Sequence, residues 1–396
     1  MRFIFVLIFL TVHVYAQDFI LGKEYPWGVV IAPYKESPTV FRVGARLQSE
    51  FEYHENKNSD KSLERYDFYI RRARFQFQAV TKSGYKFKMD LRNDGANKED
   101  KGESDFNIGD AYLEKKLPHS FILRAFRAKV DVSRSQTVSS SMLLFLDRAS
   151  VADYAAQYVS HNRRATNIQL LGVYDRWSFQ TVIGDGVQTK KFYDASESTL
   201  SGSVEYQKPM MGAKIRFYPI KGWDDKKPTE TYFGKGQHFS FGAGYFQTAD
   251  IEYKTSNYSD KLTRELTNIE FSAHFHRISF QAEYFYFNGI VQDLSASTQR
   301  LGSSSGYYAQ LEYLVSEKLF ISPFIRYENW NKFEQENDYK FNSNVFGLNW
   351  YLQGNNIRLA LVYQQDKFED SILESDKLGN SFNEVNKLKF ISMWHF

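Results

Sequence analysis

The strongest constraint on how this chain folds is an apolar alternation with a period of two that runs to its last residue. Leu388, Phe390, Ser392, Trp394 and Phe396 share one face, and Lys387, Lys389 and His395 fall on the other. Successive side chains of a strand point to opposite faces, so such a segment has one apolar side and one polar side. The pattern recurs upstream. Phe346, Leu348, Trp350 and Leu352 alternate with Gly347, Asn349 and Tyr351; Ile357, Leu359, Leu361 and Tyr363 alternate with Arg358, Ala360, Val362 and Gln364. Only Gln353-Gly354-Asn355-Asn356 separates the two runs, which predicts a tight hairpin turn.

Composition decides what surrounds these strands. The chain has 35 Phe and 27 Tyr, yet its mean hydropathy is −0.50, and beyond the N-terminus no stretch approaches the length of a membrane helix. A chain rich in aromatics and polar on average suits a closed sheet with lipid on one face and water on the other. Cysteine is absent, which excludes thiolate metal sites and cysteine nucleophiles and fits an exported protein without disulfides. The formal net charge of +3 is too small to argue for nucleic acid or an anionic membrane surface as a partner. At the N-terminus Arg2, the apolar stretch Phe3 to Leu10 and Val14-Tyr15-Ala16 form the three parts of a secretory signal peptide. Residues 1–16 are therefore expected to be removed after Ala16, with 17–39 a periplasmic lead-in and 40–396 the barrel. The apolar stretch is shorter than the ~20 residues that span a bilayer, which argues against an anchor helix.

Short connections occur at 81–83, 118–119, 174–176, 276–277, 316–318 and 353–356, and between them lie longer polar stretches near 54–65, 94–105, 131–164, 185–209, 249–262, 289–305, 331–342 and 367–384. Bacterial outer-membrane barrels alternate short periplasmic turns with long outer loops in this way. The count predicts a transmembrane antiparallel β-barrel of sixteen strands, or eighteen if 25–34 and 200–207 also enter the sheet. Either leaves room for water inside. The connection at 220–237 is long for a periplasmic turn. A terminal Phe preceded by alternating aromatics also resembles the C-terminal signature of outer-membrane barrels. Trp394 and Phe396 are accordingly expected to be read by the barrel assembly machinery of a bacterial outer membrane.

A barrel is a scaffold, and function rests on its inward residues and loops. In the second strand Tyr69, Ala73, Phe75 and Phe77 form the apolar row, which turns Arg72, Arg74, Gln76 and Gln78 inward. In the third, Tyr85, Phe87, Met89 and Leu91 face lipid, so Lys86, Lys88, Asp90 and Arg92 face the lumen. Those eight positions hold five cations and one anion. The segment 120–148 adds Arg124, Arg127, Lys129, Arg134 and Arg148 against Asp131 and Asp147, and leads into the longest loop. Arg124 and Arg127 have opposite strand parity, so both face the lumen only if the strand bulges or has ended. Ser133, Ser135, Thr137, Ser139, Ser140 and Ser141 offer hydroxyl donors in the same loop. Rings of Arg and Lys are a means by which pores select anions.

These residues also carry a family resemblance. The basic strand end, Thr137-Val138-Ser139-Ser140, the following apolar stretch and Asp147-Arg148 resemble the phosphate-selective porin O and P family, as do Ile70-Arg71-Arg72-Ala73-Arg74 and Asp110-Ala111-Tyr112. The resemblance implies a sixteen-stranded homotrimeric barrel whose third long loop folds into the lumen, with cations guiding phosphate or related anions. It matches Lys129 to the family's lysine before the loop and Arg148 to the arginine after the acidic residue. The chain departs from the pattern at Ala125 or Phe126, where the family commonly has Gly, and at Arg134, where it has glutamate.

Other constellations are weaker. His274 and His276 flank Phe275 with no carboxylate placed beside them, which reads as a hydrogen-bonded pair at the periplasmic rim rather than a metal site. No triad signature appears among the eight histidines. The sequence thus predicts a porin with no cofactor, no metal and no catalysis, selective for small phosphate-like anions. A general or cation-selective porin remains an alternative, and a barrel enzyme or adhesin a more remote one.

Overall fold

The computed structural model describes residues 29–31, 39–57, 62–98, 105–160, 163–186, 190–193, 200–206, 208–224, 228–255, 258–292, 300–334, 340–369, 374–375 and 381–396. The expected signal peptide and most of the lead-in lie outside the described residues. The wall begins with β1 (Thr39–Lys57), β2 (Ser62–Thr81), β3 (Tyr85–Asn93), β4 (Asn107–Lys116), β5 (Phe121–Arg127), β6 (Thr166–Val173), β7 (Trp177–Gly184) and β8 (Met210–Phe217). It continues through β9 (His238–Thr255), β10 (Tyr258–Phe275), β11 (Ile278–Gln292), β12 (Arg300–Tyr313), β13 (Ile321–Asn331), β14 (Lys340–Asn355), β15 (Ile357–Phe368) and β16 (Glu384–His395).

Each strand pairs antiparallel with the next. The sheet then closes, because β16 pairs antiparallel with β1, Leu47 opposite Trp394. Phe396 extends the seam by one residue: its N–H donates to the Ala45 carbonyl at 2.8 Å and its carbonyl accepts from Ala45 N at 3.0 Å. Closure leaves no wall strand with an unpaired edge, the condition a sheet must meet in lipid. Phe241, Ile269, Leu361, Phe390 and Trp394 lie exposed on the outside, and Ser240, Glu270, Asn349 and Lys389 are buried on the inside.

The count is sixteen, and the two weak segments explain themselves. Val29–Ile31 pairs with Phe41 to Val43 of β1, along the edge beyond the end of β16. Leu200–Tyr206 pairs with Lys190–Tyr193 and with the outer end of β9. Neither comes between two wall strands, since β7 pairs directly with β8 and β8 with β9. Several expected loops are strand instead. Pairing continues to Lys57 opposite Ser62 and to Thr255 opposite Tyr258. Polar composition suggests loops there, but a hairpin standing above the membrane has water on both faces and needs no apolar row; pairs such as Tyr53 with Tyr66, rings 5.0 Å apart, support it.

A bulge in β2 changes which residues point inward. Gln48 faces Arg72 and Ser49 faces Ile70, so Arg71 is the extra residue, and Arg71 and Arg72 both bond to inward groups. A bulge re-aims side chains in this manner.

The segment between β5 and β6 carries α1 (Arg134–Thr137) and α2 (Ser150–Val159). Hydrogen bonds tie it to inward side chains on many sides: Arg72 of β2, Gln180 of β7, Arg216 of β8, Glu283 of β11, Glu328 of β13, Asn349 of β14, Arg358 of β15 and Lys389 of β16. The Val151 N–H, in the first turn of α2, donates to Glu328 Oε1 at 2.6 Å, where a carboxylate complements the helix dipole. Val151, Ala152, Ala155, Ala156 and Val159 form one stripe of α2 and pack on inward Phe285, Phe287, Tyr308 and Trp330. That side of the interior is an apolar core rather than a water-lined wall. Its signal is Tyr284-Phe285-Tyr286-Phe287, apolar on both faces of one strand.

Phe287 meets Tyr154 and Tyr158 edge-on at 5.1 and 5.2 Å. Phe287→Ala should cost α2 docking ~3–5 kcal/mol and leave the wall closed. The expected result is protein that still shifts on gels upon heating yet is cut faster by protease between Ala128 and Ala165.

Candidate anion path

An inner cavity of about 370 Å3 lies between β1–β8 and the loop segment. Arg46, Arg74, Lys88, Arg124 and Arg216 reach it from the wall, and Lys129, Arg148 and Arg164 from the loop segment. Three carboxylates, Asp90, Asp110 and Asp131, share it, so cations outnumber them by eight to three. Thr137, Ser139 and Ser140 also line it, as does Pro228 of the long connection between β8 and β9. A second cavity of about 420 Å3 adjoins Arg71, Arg72, Arg163, Arg326 and Lys389, with Asp147 and Asp153. Arg148 lines both cavities.

Four of the eight inner-cavity cations have carboxylate partners. Arg74 grips Asp94 through Nε and Nη2 at 3.1 and 2.6 Å and donates to Ser140 Oγ at 3.2 Å. Burial raises the Asp94 carboxyl, but Arg74 outweighs it and holds the pKa down at about 2. Arg124 and Lys86 share Glu114, at 2.6 and 3.3 Å. Arg164 and Arg92 share Asp110, at 2.7 and 3.1 Å. Arg216 reaches Asp131 with both terminal nitrogens at 2.6 Å and Glu270 with Nε at 2.5 Å. A paired cation lends orientation to the cavity but little net field.

Three cations of the inner cavity have no such partner among the described residues. Arg46 is buried, and its Nε and Nη1 have no hydrogen-bond partner. Among the described residues Lys129 meets neither a hydrogen-bond nor an ion-pair partner. Burial, then the charges of Arg148 and Arg164, push its pKa well below the ordinary lysine value. Among the described residues Arg148 bonds only carbonyls, from Nε to Ser135 at 2.7 Å and from Nη2 to Val138 at 2.8 Å. Burial lowers its pKa to about 10. Each has donors that no carboxylate among the described residues occupies.

Of the nine cations the sequence singles out, Arg74, Lys88, Arg124, Lys129 and Arg148 line the inner cavity, and Arg72 lines the second one. Lys86 sits apart, paired to Glu114 beneath the Tyr112 ring. Arg127 is placed elsewhere: strand parity turns it outward, where it is exposed and donates to the Ile108 and Gly109 carbonyls at 2.6 and 2.7 Å. Arg134 is buried in the loop's own packing, with Nη2 on the Thr229 carbonyl at 3.1 Å and the Tyr232 hydroxyl at 2.9 Å. Ser133 and the Ser135 N–H turn to Glu283 rather than to the cavity. Sequence reasoning missed Arg46, Arg71, Arg164 and Arg216. Parity marks Arg46 and Arg216, since Ala45 and Leu47, and Ile215 and Phe217, flank them outward; the Arg71 bulge and the fold-back of Arg164 leave no such mark.

The long 218–237 connection meets the loop segment. Glu230 donates its N–H to the Met142 carbonyl at 3.1 Å and accepts the Leu144 N–H at 2.8 Å. Burial raises the pKa of this carboxyl. His274 is buried and stacks on Tyr232, rings 4.3 Å apart.

A closed sixteen-strand barrel with cation-lined cavities inside defines a membrane channel of the porin class. The chain belongs to the phosphate-selective porin O and P family, whose pattern matches residues 41–383, and is thus a porin of a bacterial outer membrane. An uncharacterized protein of Aquifex aeolicus is 25% identical over 350 residues, 80% of each chain. The anion-selective porin from Comamonas acidovorans is similar in fold, with a TM-score of 0.61 and 12% identity over 90% of this chain and 100% of that one. The trimer form of the outer membrane protein OmpT of Vibrio cholerae gives 0.55 and 10%, over 91% of this chain and 100% of that one.

The lowered pKa of Lys129 has a sign. The ammonium is charged below that value and neutral above it, so preference for chloride over potassium should fall as pH rises through the range below the ordinary lysine value. Lys129→Arg, charged throughout, should flatten the profile. Reversal potentials across a salt gradient, measured against pH, check both.

Proposed function

We propose that this porin is a water-filled, anion-selective diffusion channel for phosphate-like oxyanions, and that the loop segment between β5 and β6 folds into the lumen and narrows it. The observation that carries the reading is the inner cavity, where Arg46, Lys129 and Arg148 stand without a carboxylate partner among eight cations and three acids. An oxyanion entering a narrow place loses water and needs replacement donors. Guanidinium supplies a fork and ammonium a point charge. Several weak sites in series allow the ion to leave again. The family's description and the anion-selective Comamonas porin support the same reading. We also infer export by residues 1–16, recognition of Trp394 and Phe396 by the assembly machinery, and a homotrimer, as in the Vibrio protein's trimer form.

A general porin is favoured by one observation: Arg74, Arg92, Arg124, Arg164 and Arg216 all have acid partners. Bilayer recordings decide between the two. Opposite charges ~4 Å apart interact by ~1 kcal/mol in water and ~4 kcal/mol at an effective dielectric of ~20. Lys129→Gln or Arg46→Gln should therefore weaken phosphate block of the chloride current by on the order of tenfold. Lys318→Gln, on an exposed turn, should leave it unchanged because salt screens rim charges. Unaltered selectivity and block in both test variants would leave the general porin as the function. A separate check concerns the C-terminus: deleting Phe396 should lower the yield of membrane-inserted barrel, and normal insertion would remove its assembly role.

A further inference from the structure

The second cavity is lined by six cations, Arg71, Arg72, Arg148, Arg163, Arg326 and Lys389, and by two carboxylates, Asp147 and Asp153. Asp153 pairs with Arg163, Oδ2 to Nη1 at 2.7 Å. Asp147 is placed differently. It comes from the loop segment and reaches two wall strands, Oδ1 to Arg71 Nη2 of β2 and Oδ2 to Lys389 Nζ of β16, the latter at 3.2 Å. A guanidinium fork beside an ammonium is the donor set that suits an oxyanion. The wall also has acids of its own for these two cations: Glu50 pairs with Arg71, and Glu50 and Glu52 each lie 3.7 Å from Lys389. Their side chains are 0% and 4% exposed, whereas that of Asp147 is 23% exposed and faces the cavity. Two fixed wall acids balance the two cations, so the loop carboxylate is surplus to their neutrality. The loop has other anchors as well. Arg358 takes the carbonyls of Leu143 and Leu144, Arg72 that of Leu146 and Arg326 the backbone carbonyl of Asp147 itself at 2.9 Å.

We propose that Arg71 and Lys389 form a solute oxyanion site in the second cavity, that the Asp147 carboxylate fills it when no solute is there, and that Asp147 thereby sets how tightly the channel holds its anion. An arriving oxyanion takes over the same donors, so neither cation is left bare during the exchange. The displaced carboxylate stays tethered at high local concentration and competes for its place again. That competition keeps the site weak, as a conducting site must be if the ion is to leave. Arg148, the next residue in the chain, lines both cavities, so an ion expelled by Asp147 has a cation beside it on the way to the inner cavity. The inference rests on the anion-channel reading above and adds a specificity-determining residue to it.

The test is the inorganic phosphate concentration that halves the chloride current of the full chain in planar bilayers. Asp147→Asn removes the competitor but keeps its shape, and should lower that concentration by on the order of tenfold. Asp147→Glu should return it toward the wild-type value. Adding Lys389→Gln to Asp147→Asn should abolish the gain, because the site then lacks its ammonium. Asp153→Asn, which removes an equal charge from the same cavity but frees only Arg163, should have a smaller effect. Block unchanged in Asp147→Asn, in a wild-type channel that does prefer anions, overturns the inference alone. An equal gain in Asp153→Asn, or a gain that survives Lys389→Gln, overturns the assignment to Arg71 and Lys389. Faster protease cleavage between Ala128 and Ala165 in Asp147→Asn makes the carboxylate a loop anchor and likewise overturns it. A wild-type channel with neither anion preference nor phosphate block overturns the anion-channel reading itself.

Discussion

The arrangement depends on a single requirement, that each backbone N–H and C=O in the membrane find a partner inside the sheet. The β16–β1 seam meets it, and Phe396 completes it by exchanging both hydrogen bonds with Ala45. Once the sheet is closed, the period of two sends half of all wall side chains into a space of fixed width. Charges there are short of water, and each must be paired, bonded to a carbonyl or left to hold a solute. The inner surface follows from this sorting.

Arginine serves two ends in that space. The segment around Leu143 to Asp147 has no ladder to occupy its carbonyls, and the wall supplies donors. Arg358 takes the carbonyls of Leu143 and Leu144, Arg72 that of Leu146 and Arg326 that of Asp147. A carbonyl satisfies an N–H without cancelling the charge, whereas Glu114 cancels that of Arg124. A loop held by arginines on carbonyls is thus fixed in place without its anchoring bonds cancelling the arginines' charge, which suits the proposed anion path. Arg148 shows this within the loop itself, since both of its acceptors are carbonyls.

The wall was legible in the sequence because a closed sheet obeys a simple code. Strand number, inward direction of Arg74, Lys88 and Arg124, and outward Phe390 and Trp394 follow from parity and turn signals alone. Strand ends above the membrane were not, since water on both faces removes the alternation. The site was legible only in part. Parity places a side chain on the correct face but says nothing of its partner: Lys86 and Arg124 read alike with Lys88 until Glu114 is seen between the first two. Arg134 reads as a free loop cation, yet the long-range contact with Thr229 and Tyr232 buries it. Bulges defeat the code altogether, as Arg71 shows.

The interior divides into two unlike halves. Along β9–β14 the inward aromatics pack with the apolar stripe of α2 in one core. Among the described residues none of β9–β16 lines the inner cavity, whose wall residues come from β1–β8. The loop and the 218–237 connection, joined at Glu230, close the other side. A barrel of sixteen strands is wide enough for a general aqueous channel; the proposed fold-in of the loop would remove that width and leave the remaining space against the basic strands. Selectivity then needs no ring of charge around the full circumference. In the proposed channel it needs a few cations without carboxylate partners on the open side, the role proposed for Arg46, Lys129 and Arg148.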